Sequence, residues 1–495
     1  MKFQRMLYNL ASSQRYRVVI VGITAIVTSL LYLLISSNLT GIGYPLDDAW
    51  IHQTYARNLV VYGEWSFVPG QVSGGSTSPL WTIILSLGQV LGIPVIWTFA
   101  AGTILFAASA ITGVEILRKA GNNLISCLLF GLFLATEWHL IWASVSGMET
   151  ILLVFVILLF FYFLYDNKHF WISGLLVGIA IWIRPDSIML VGPWLWVILF
   201  LHQKEKKVWN SLVKGGFFLL IFVGLYLGFN YSLTGNVWPN TFYAKQAEYI
   251  SMLDTPFLMR FIQLFSLPWI GASVLLLPGL VITIIAIIKS KNISYFAPIL
   301  WAFGYILIFA VRLPVTYQHG RYIMPVMPIL FLVGFWGIQK VFQSVRVTSA
   351  RRRILRAGWV GSITVAQIGF IFLGARSFAN DVAFINTEMI ATAQWIQENT
   401  EKDALIAAHD IGALGYYSNR EIIDLAGLIT PEVIPFIRNE NRLGEYITAE
   451  KADYLMIFPS WYPALAERAT PVYHSNAWYS PELGGESMYI YRWAP

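Results

Sequence analysis

Pro79-Leu-Trp-Thr-Ile-Ile-Leu-Ser-Leu-Gly-Gln-Val-Leu-Gly92 decides how this chain is read, because a bilayer crossing there would reverse the side of every later loop. A helix needs about 20 residues to span the hydrocarbon core. The run covers only 79–92, closed by Pro79 at one end and by Gly92-Ile-Pro94 at the other. Working outward, other apolar segments fall at 18–37, 94–117, 124–144, 150–165, 170–183, 187–201, 211–230, 267–288, 295–312, 323–339 and 355–375. Basic residues cluster between them: Lys2, Arg5, Arg15 and Arg17; Arg118 and Lys119; Lys168; Lys204, Lys206 and Lys207; Lys289 and Lys291; and Lys340 through Arg356. With a cytoplasmic N-terminus and eleven crossings, every cluster falls on the cytoplasmic side, where Lys and Arg concentrate. A crossing at 79–92 would break that agreement. The run is therefore expected to lie along the outer interface.

The composition requires a membrane protein. Of the 495 residues, 57% are hydrophobic and 12% charged, against roughly half and a quarter in soluble domains. Residues 18–36 follow a basic start and are long for a signal peptide, and Ile35-Ser36-Ser37 is a poor cleavage site, so an uncleaved first helix is expected. Segments 170–183 and 187–201 are short for spans and are expected to be broken or tilted. The single Cys127 permits no intrachain disulfide and no cysteine-rich metal site.

The net charge of +6 conceals two opposed parts: residues 376–495 hold 8 Lys/Arg against 16 Asp/Glu, and the preceding 375 hold 25 against 11. No basic stripe marks a soluble segment, so a nucleic-acid partner is not expected. We divide the chain into a membrane domain, 1–375, and a soluble extracytoplasmic domain, 376–495. In the latter, 386–399 has helical spacing, and 404–408, 421–425, 454–458 and 488–492 read as short strands, giving a small α/β domain.

The outer segments become 38–93, 145–149, 184–186, 231–266, 313–322 and the tail. The first opens with Tyr44-Pro-Leu-Asp-Asp-Ala-Trp-Ile-His52. One of Asp47 and Asp48 suffices to cap the following helix. The second suits a general base or a metal ligand, with His52 one turn on. Glu149, Arg184 and Asp186, Lys245, and His319 with Arg321 and Tyr322 are further polar groups on that side. Each could be a capping or snorkelling residue. Together they supply carboxylates for proton removal and cations for a phosphate, a pairing that suggests group transfer from a lipid phosphate.

The motifs in order are Leu46-Asp-Asp-Ala-Trp-Ile-His-Gln-Thr-Tyr-Ala-Arg-Asn58, Gly74-Gly-Ser-Thr-Ser-Pro-Leu-Trp81, Ser146-Gly-Met-Glu-Thr150, Arg184-Pro-Asp186, Pro239-Asn-Thr-Phe-Tyr-Ala-Lys245, Gly320-Arg-Tyr-Ile-Met-Pro325, His409-Asp-Ile-Gly-Ala-Leu-Gly-Tyr416 and Asp424-Leu-Ala-Gly-Leu-Ile-Thr-Pro431. On these the chain resembles the GT-C superfamily of integral-membrane glycosyltransferases, which use polyprenyl-phosphate-linked sugars. It is most similar to the branch containing the cell-wall arabinofuranosyltransferases. The resemblance implies an all-α polytopic membrane domain with interfacial helices in the first outer loop, seated in the plasma membrane. It also implies an inverting transfer of arabinofuranose or a hexose to a cell-envelope glycan, lipid or protein acceptor.

The resemblance places the catalytic base at Asp47, with Asp48 second, and a second acidic position at Glu149. Many relatives carry Glu where Asp186 stands. Lys245, Arg321 and Tyr322 are expected at the donor phosphate, and His52, Tyr55, Glu149, Arg184, Asn240, Tyr243 and His319 around the substrates. No cofactor is required, although Asp47, Asp48 and Glu149 could hold a divalent cation (Mg, Mn or Ca). The tail aromatics Trp461, Tyr462, Trp478 and Tyr479 would either stack on an acceptor glycan or pack the core or the membrane interface. The competing reading is a transporter or lipid-linked-sugar flippase. It is disfavoured because no internal repeat is visible and ionisable residues within the spans are few, chiefly Glu115, Glu137 and His139.

Overall fold

The computed structural model describes residues 14–166, 168–201, 206–344, 349–477, 480 and 485–493. Lys2, Arg5, Lys204, Trp478 and Tyr479 lie outside them. Helix α1 (Gln14–Ser37) is a 24-residue apolar rod. The first loop follows, with helix α2 (Asp48–Tyr62), a hairpin of β1 (Ser66–Val68) and β2 (Gln71–Val72), and helix α3 (Pro79–Val90). Helix α3 is the stretch that decided the topology. Its 12 residues extend only about 18 Å, too short to cross. Trp81, Thr82, Leu85 and Gly88 are buried while Ile83, Leu87 and Val90 form an exposed apolar face. A helix of this kind suits the plane of the membrane surface.

The membrane body continues with α4 (Pro94–Lys119), α5 (Leu124–Ala135), α6 (Trp138–Val145), α7 (Thr150–Leu164), α8 (Phe170–Ile183) and α9 (Val191–Leu201), then α10 (Lys206–Thr234), the short helices α11 (Asn240–Glu248) and α12 (Phe257–Ser266), and α13 (Leu277–Ser290), α14 (Ala297–Arg312), α15 (Met327–Ser344) and α16 (Ser349–Phe384). All eleven expected segments are helical. Seven helices among the described residues are long and apolar enough to cross a membrane, and α5 with α6, bent by 54°, would make an eighth. Helices α7 and α8 and the stretch Pro185–Leu201 are shorter, so the length criterion alone does not reach eleven. Outward-facing Ile104, Leu220 and Val365 are about 70% exposed, as lipid-facing side chains would be. This is a multi-pass membrane protein.

Small residues bring the helices together where no hydrophobic driving force exists between them. A Cβ on Gly279 would lie 1.9 Å from the Gly334 carbonyl oxygen, and one on Gly337 would lie 1.9 Å from that of Gly279. Helices α13 and α15 therefore touch backbone to backbone, and Thr283 Oγ1 donates to Val333 O across the gap at 2.8 Å.

Helix α16 runs without interruption through position 375 and, after a π-helical turn at Ile385–Ile390, into α17 (Ala391–Asn399). The buried carboxylate of Glu388 in that turn accepts from Ser475, Ser480 and the Met488 backbone N–H. The rest of the tail is β3 (Leu405–Ala408), α18 (Gly412–Tyr417), β4 (Glu421–Asp424), α19 (Glu440–Ala449), β5 (Tyr454–Ile457), α20 (Pro463–Glu467), β6 (Thr470–His474) and β7 (Tyr489–Arg492). The sheet order is β4-β3-β5-β7-β6, with β4–β3 and β3–β5 parallel and the other pairs antiparallel. All four expected strands form. The unexpected β6 is an edge strand, the place in a sheet where a proline such as Pro471 is tolerated. Ile411, Leu414 and Leu428 pack into the same core as the membrane helices, whereas Leu443, Ile447 and Leu455 build a second, smaller one.

Candidate active site

A cavity of about 450 Å³ opens where the loops at one end of the helices meet the C-terminal domain. All six segments expected on one side of the membrane supply walls: Asp48 and Gly75, Met148 and Glu149, Arg184 and Asp186, Trp238, Phe242 and Lys245, Leu313 with Arg321, and Leu428 of the tail. Most of the lining is apolar, and the charges gather on one cluster.

Backbone geometry aims that cluster. Gln318, His319 and Gly320 have φ of 54°, 55° and 68°. Three successive left-handed residues, two of them with side chains, turn the chain tightly at a cost of about 1–2 kcal/mol for each non-glycine. Gly320 is the residue for which this conformation is natural. The turn delivers Arg321 and Tyr322 to the cavity. Asp48 opens α2 and forms an ion pair with Arg321 Nη2. Lys245 Nζ on α11 lies 3.9 Å from the same Asp48 oxygen and donates to Tyr322 OH at 2.9 Å. Arg321 Nη2 also reaches Tyr322 OH, at 3.1 Å. Arg321 Nε and Nη1 are buried and have no hydrogen-bond partner among the described residues. Burial alone would raise the Asp48 carboxyl, but Arg321 and then Lys245 outweigh it and hold it well below the usual carboxylate range.

Behind this cluster, His52 Nε2 faces Glu149 Oε2 at 3.7 Å, and its Nδ1 lies 3.1 Å from Ser76 Oγ and 3.3 Å from Thr82 Oγ1. Burial lowers the His52 pKa, against the pull of Glu149 and Asp48. Glu149 is carried by a turn that is tied to α3, since Trp81 Nε1 donates to Gly147 O at 2.9 Å. Arg184 sits at the extended break after α8, its fork gripping Asp186 through two 3.1 Å bonds. Its guanidinium lies 5.3 Å from the Tyr322 ring centre.

Asp48, His52, Glu149, Arg184, Lys245, Arg321 and Tyr322 thus come together on one cavity. Five expected residues do not line it. Asp47, favoured as the base, has its carboxylate bound by the backbone N–H groups of Gly412 (2.6 Å) and Ala413 (2.8 Å). Burial first, and Asp410 second, push it up to about 7 against those two bonds. Tyr55 is buried behind the wall, bonded to Ser73 Oγ and to the Gly75 N–H, so it shapes the loop and does not face the cavity. Asn240 donates to Leu428 O at 3.4 Å and joins the tail to α11. Tyr243 packs on Phe242. His319 turns away toward α16, where its Nε2 meets Asp381 Oδ2 at 2.7 Å between Trp138 and Trp142.

The three acids expected at a divalent cation have separate partners. No group of three His, Cys, Asp or Glu among the described residues could hold a metal ion. Asp47 accepts from two backbone N–H groups, and Asp48 faces Arg321 and Lys245.

Wall residues that sequence reading did not single out include Trp238, Phe242, Arg312 and Leu428. Trp238, Phe242 and Leu428 lie in or beside the quoted motifs. Arg312, at the end of an apolar helix, carried no local signal.

Residues 380–491 match a family described as a domain of unknown function (DUF8728). No curated protein matches the chain in sequence. Among solved structures, the chain is similar to ArnT from Cupriavidus metallidurans bound to undecaprenyl phosphate, with a TM-score of 0.62 and 13% identity over 96% of this chain and 98% of that one. It is also similar to the archaeal oligosaccharyltransferase AglB from Archaeoglobus fulgidus, in complex with an inhibitory peptide and a dolichol-phosphate, with a TM-score of 0.58 and 10% identity over 94% of this chain and 74% of that one. At such identities the likeness is one of fold.

Proposed function

We propose that this protein, whose fold is the GT-C fold, is a glycosyltransferase that moves a sugar from a polyprenyl-phosphate donor to an acceptor hydroxyl. The observation that carries the reading is the cluster of Arg321, Lys245 and Tyr322 against the Asp48 carboxylate in a largely apolar cavity, with Arg321 Nε and Nη1 buried and without a hydrogen-bond partner among the described residues. Unspent guanidinium N–H groups in such a place suit a phosphate, which accepts charge-assisted bonds. The apolar lining suits the first isoprene units.

In this mechanism the acceptor oxygen attacks the anomeric carbon, the bond from that carbon to the phosphate oxygen breaks, and configuration inverts. The polyprenyl phosphate leaves as an anion stabilised by Arg321 and Lys245 where its charge develops. The acceptor proton passes to Asp48. Tied to two cations, that carboxylate is a weak base at rest. A donor phosphate that draws Arg321 and Lys245 toward itself would restore its basicity, coupling donor binding to catalysis. Glu149 and His52 orient the sugar. No step calls for a metal.

The finer assignments belong to the same proposal: arabinofuranose or a hexose as the sugar; an envelope glycan, lipid or protein as the acceptor; the plasma membrane, with the N-terminus cytoplasmic and the cavity and C-terminal domain outside. The basic loops support that orientation, and the fold neighbours' lipid phosphates support the donor. Purified protein incubated with short-chain polyprenyl-phosphate sugars, read by mass spectrometry, should release polyprenyl phosphate and glycosylate an acceptor. Movement of intact donor across vesicles without bond cleavage would replace this reading with a flippase.

A further inference from the structure

The tail motif 409–416 has no part in the chemistry above, yet it holds the first loop tightly. It contains most of α18, a helix of six residues gripped at both ends. At its start, the Asp47 carboxylate accepts from the Gly412 and Ala413 N–H groups at 2.6 and 2.8 Å. At its end, Arg57 Nη1 and Nη2 donate to Tyr416 O and Gly415 O at 2.7 and 3.1 Å. Free N–H groups at a helix start and free carbonyls at its end carry opposite partial charges, so an acid at one and a guanidinium at the other both stabilise.

Both gripping residues belong to the first-loop helix or the position before it. Between them Trp50 packs on Tyr416 and Tyr417, with ring centres 4.9 and 5.0 Å apart. The fit leaves no slack. A Cβ on Gly412 would lie 2.0 Å from the Asp47 carbonyl oxygen, and one on Gly415 2.2 Å from Phe67 Cζ.

Asp47 immediately precedes Asp48, the acid that faces the cavity. We infer that Asp47 is a positioning residue: by holding the start of α18 it locks the C-terminal domain onto the first-loop helix and so fixes where Asp48 sits. The inference rests on the reading of Asp48 as the base. It assigns the C-terminal domain a part in catalysis that does not require it to touch the donor.

The test compares Asp47→Asn, Gly412→Ala and their combination in the full-length protein. It reads hydrogen exchange at 411–417, affinity for a short-chain polyprenyl phosphate, and kcat and KM for transfer. Gly412→Ala keeps both acids and disturbs only the grip. Each single variant should lose protection at 412 and 413, keep the wild-type affinity for lipid phosphate, and lower kcat by up to about 10²-fold, as small misplacements of a catalytic group do. The combination should be no worse than the poorer single, because both changes break one contact. Wild-type kcat in Gly412→Ala despite lost protection, beside an inactive Asp47→Asn, would assign Asp47 to the chemistry and overturn the inference. Wild-type kcat in both would also overturn it. Failure of the proposed function looks different: the wild type itself would make no product although 411–417 stay protected, and the positioning role would fall with it.

Discussion

The two faces of the first loop differ more than their sequence suggests. Asp47 and Asp48 are neighbours of the same type, and successive residues at a helix start point roughly 100° apart. One face meets the cavity and the other meets the C-terminal domain. Asp48 is held by Arg321 and Lys245 and lies well below the usual carboxylate range. Asp47 is pushed up to about 7 by burial and by Asp410. Adjacent carboxylates thus acquire opposite proton affinities from what surrounds them. A tandem acid motif therefore does not name its own base.

The largest expected effect separates the two acids directly. Asp48→Asn should lower the transfer rate by about 10²–10⁴-fold, the usual contribution of a positioned base, while a labelled polyprenyl phosphate still binds. Equal losses from Asp48→Asn and Asp47→Asn, with α18 protected in both, would erase the contrast.

A smaller effect is expected from the partner that Asp48 has and Asp47 lacks. Lys245→Gln removes one charge-assisted bond, worth about 1.5–3 kcal/mol, so donor KM should rise roughly 10–100-fold by the same relation. Steady-state kinetics at saturating acceptor would check this. An unchanged donor KM would move the phosphate elsewhere.

The smallest effect is on pH dependence. The folded Asp47 carboxyl lies at about 7 against an ordinary value of 3.8, so the folded state holds the proton more tightly. Its contribution to stability is complete below the ordinary value and is lost as pH rises through about 7. The unfolding midpoint of the protein should fall across that window. Asp424, raised to about 6 chiefly by burial, acts in the same direction, so Asp47→Asn should flatten the profile without abolishing the slope. Asp48 has the opposite sign and loses its contribution only well below 3.8. A thermal melt series across pH reads this, and an unaltered slope in Asp47→Asn would contradict the raised carboxyl.

The chain's legibility followed the range of each interaction. The helix at 79–90 and the helical segments 18–37 through 355–375 were readable because bilayer insertion is costed locally, residue by residue. That Lys245, Arg321 and Tyr322 would lie on the same side was readable as well, and the structure brings them to one cavity. His319 misled because its neighbours in sequence line the cavity while its own ring reaches Asp381, 62 positions away. Tyr55 misled because its hydroxyl is consumed by Ser73 and Gly75 on its own loop.

Sequence alone was enough to determine a multi-pass membrane body, a C-terminal α/β domain and most of the charged groups that line the cavity. Hydropathy, charge bias and short-range spacing act within a few tens of residues. Only the tertiary structure decided which aspartate faces the cavity and which holds the tail, because the deciding partners of Asp47 lie 365 and 366 positions along the chain and those of Asp48 include one 273 away. Such contacts form when distant segments pack, and no local pattern encodes them.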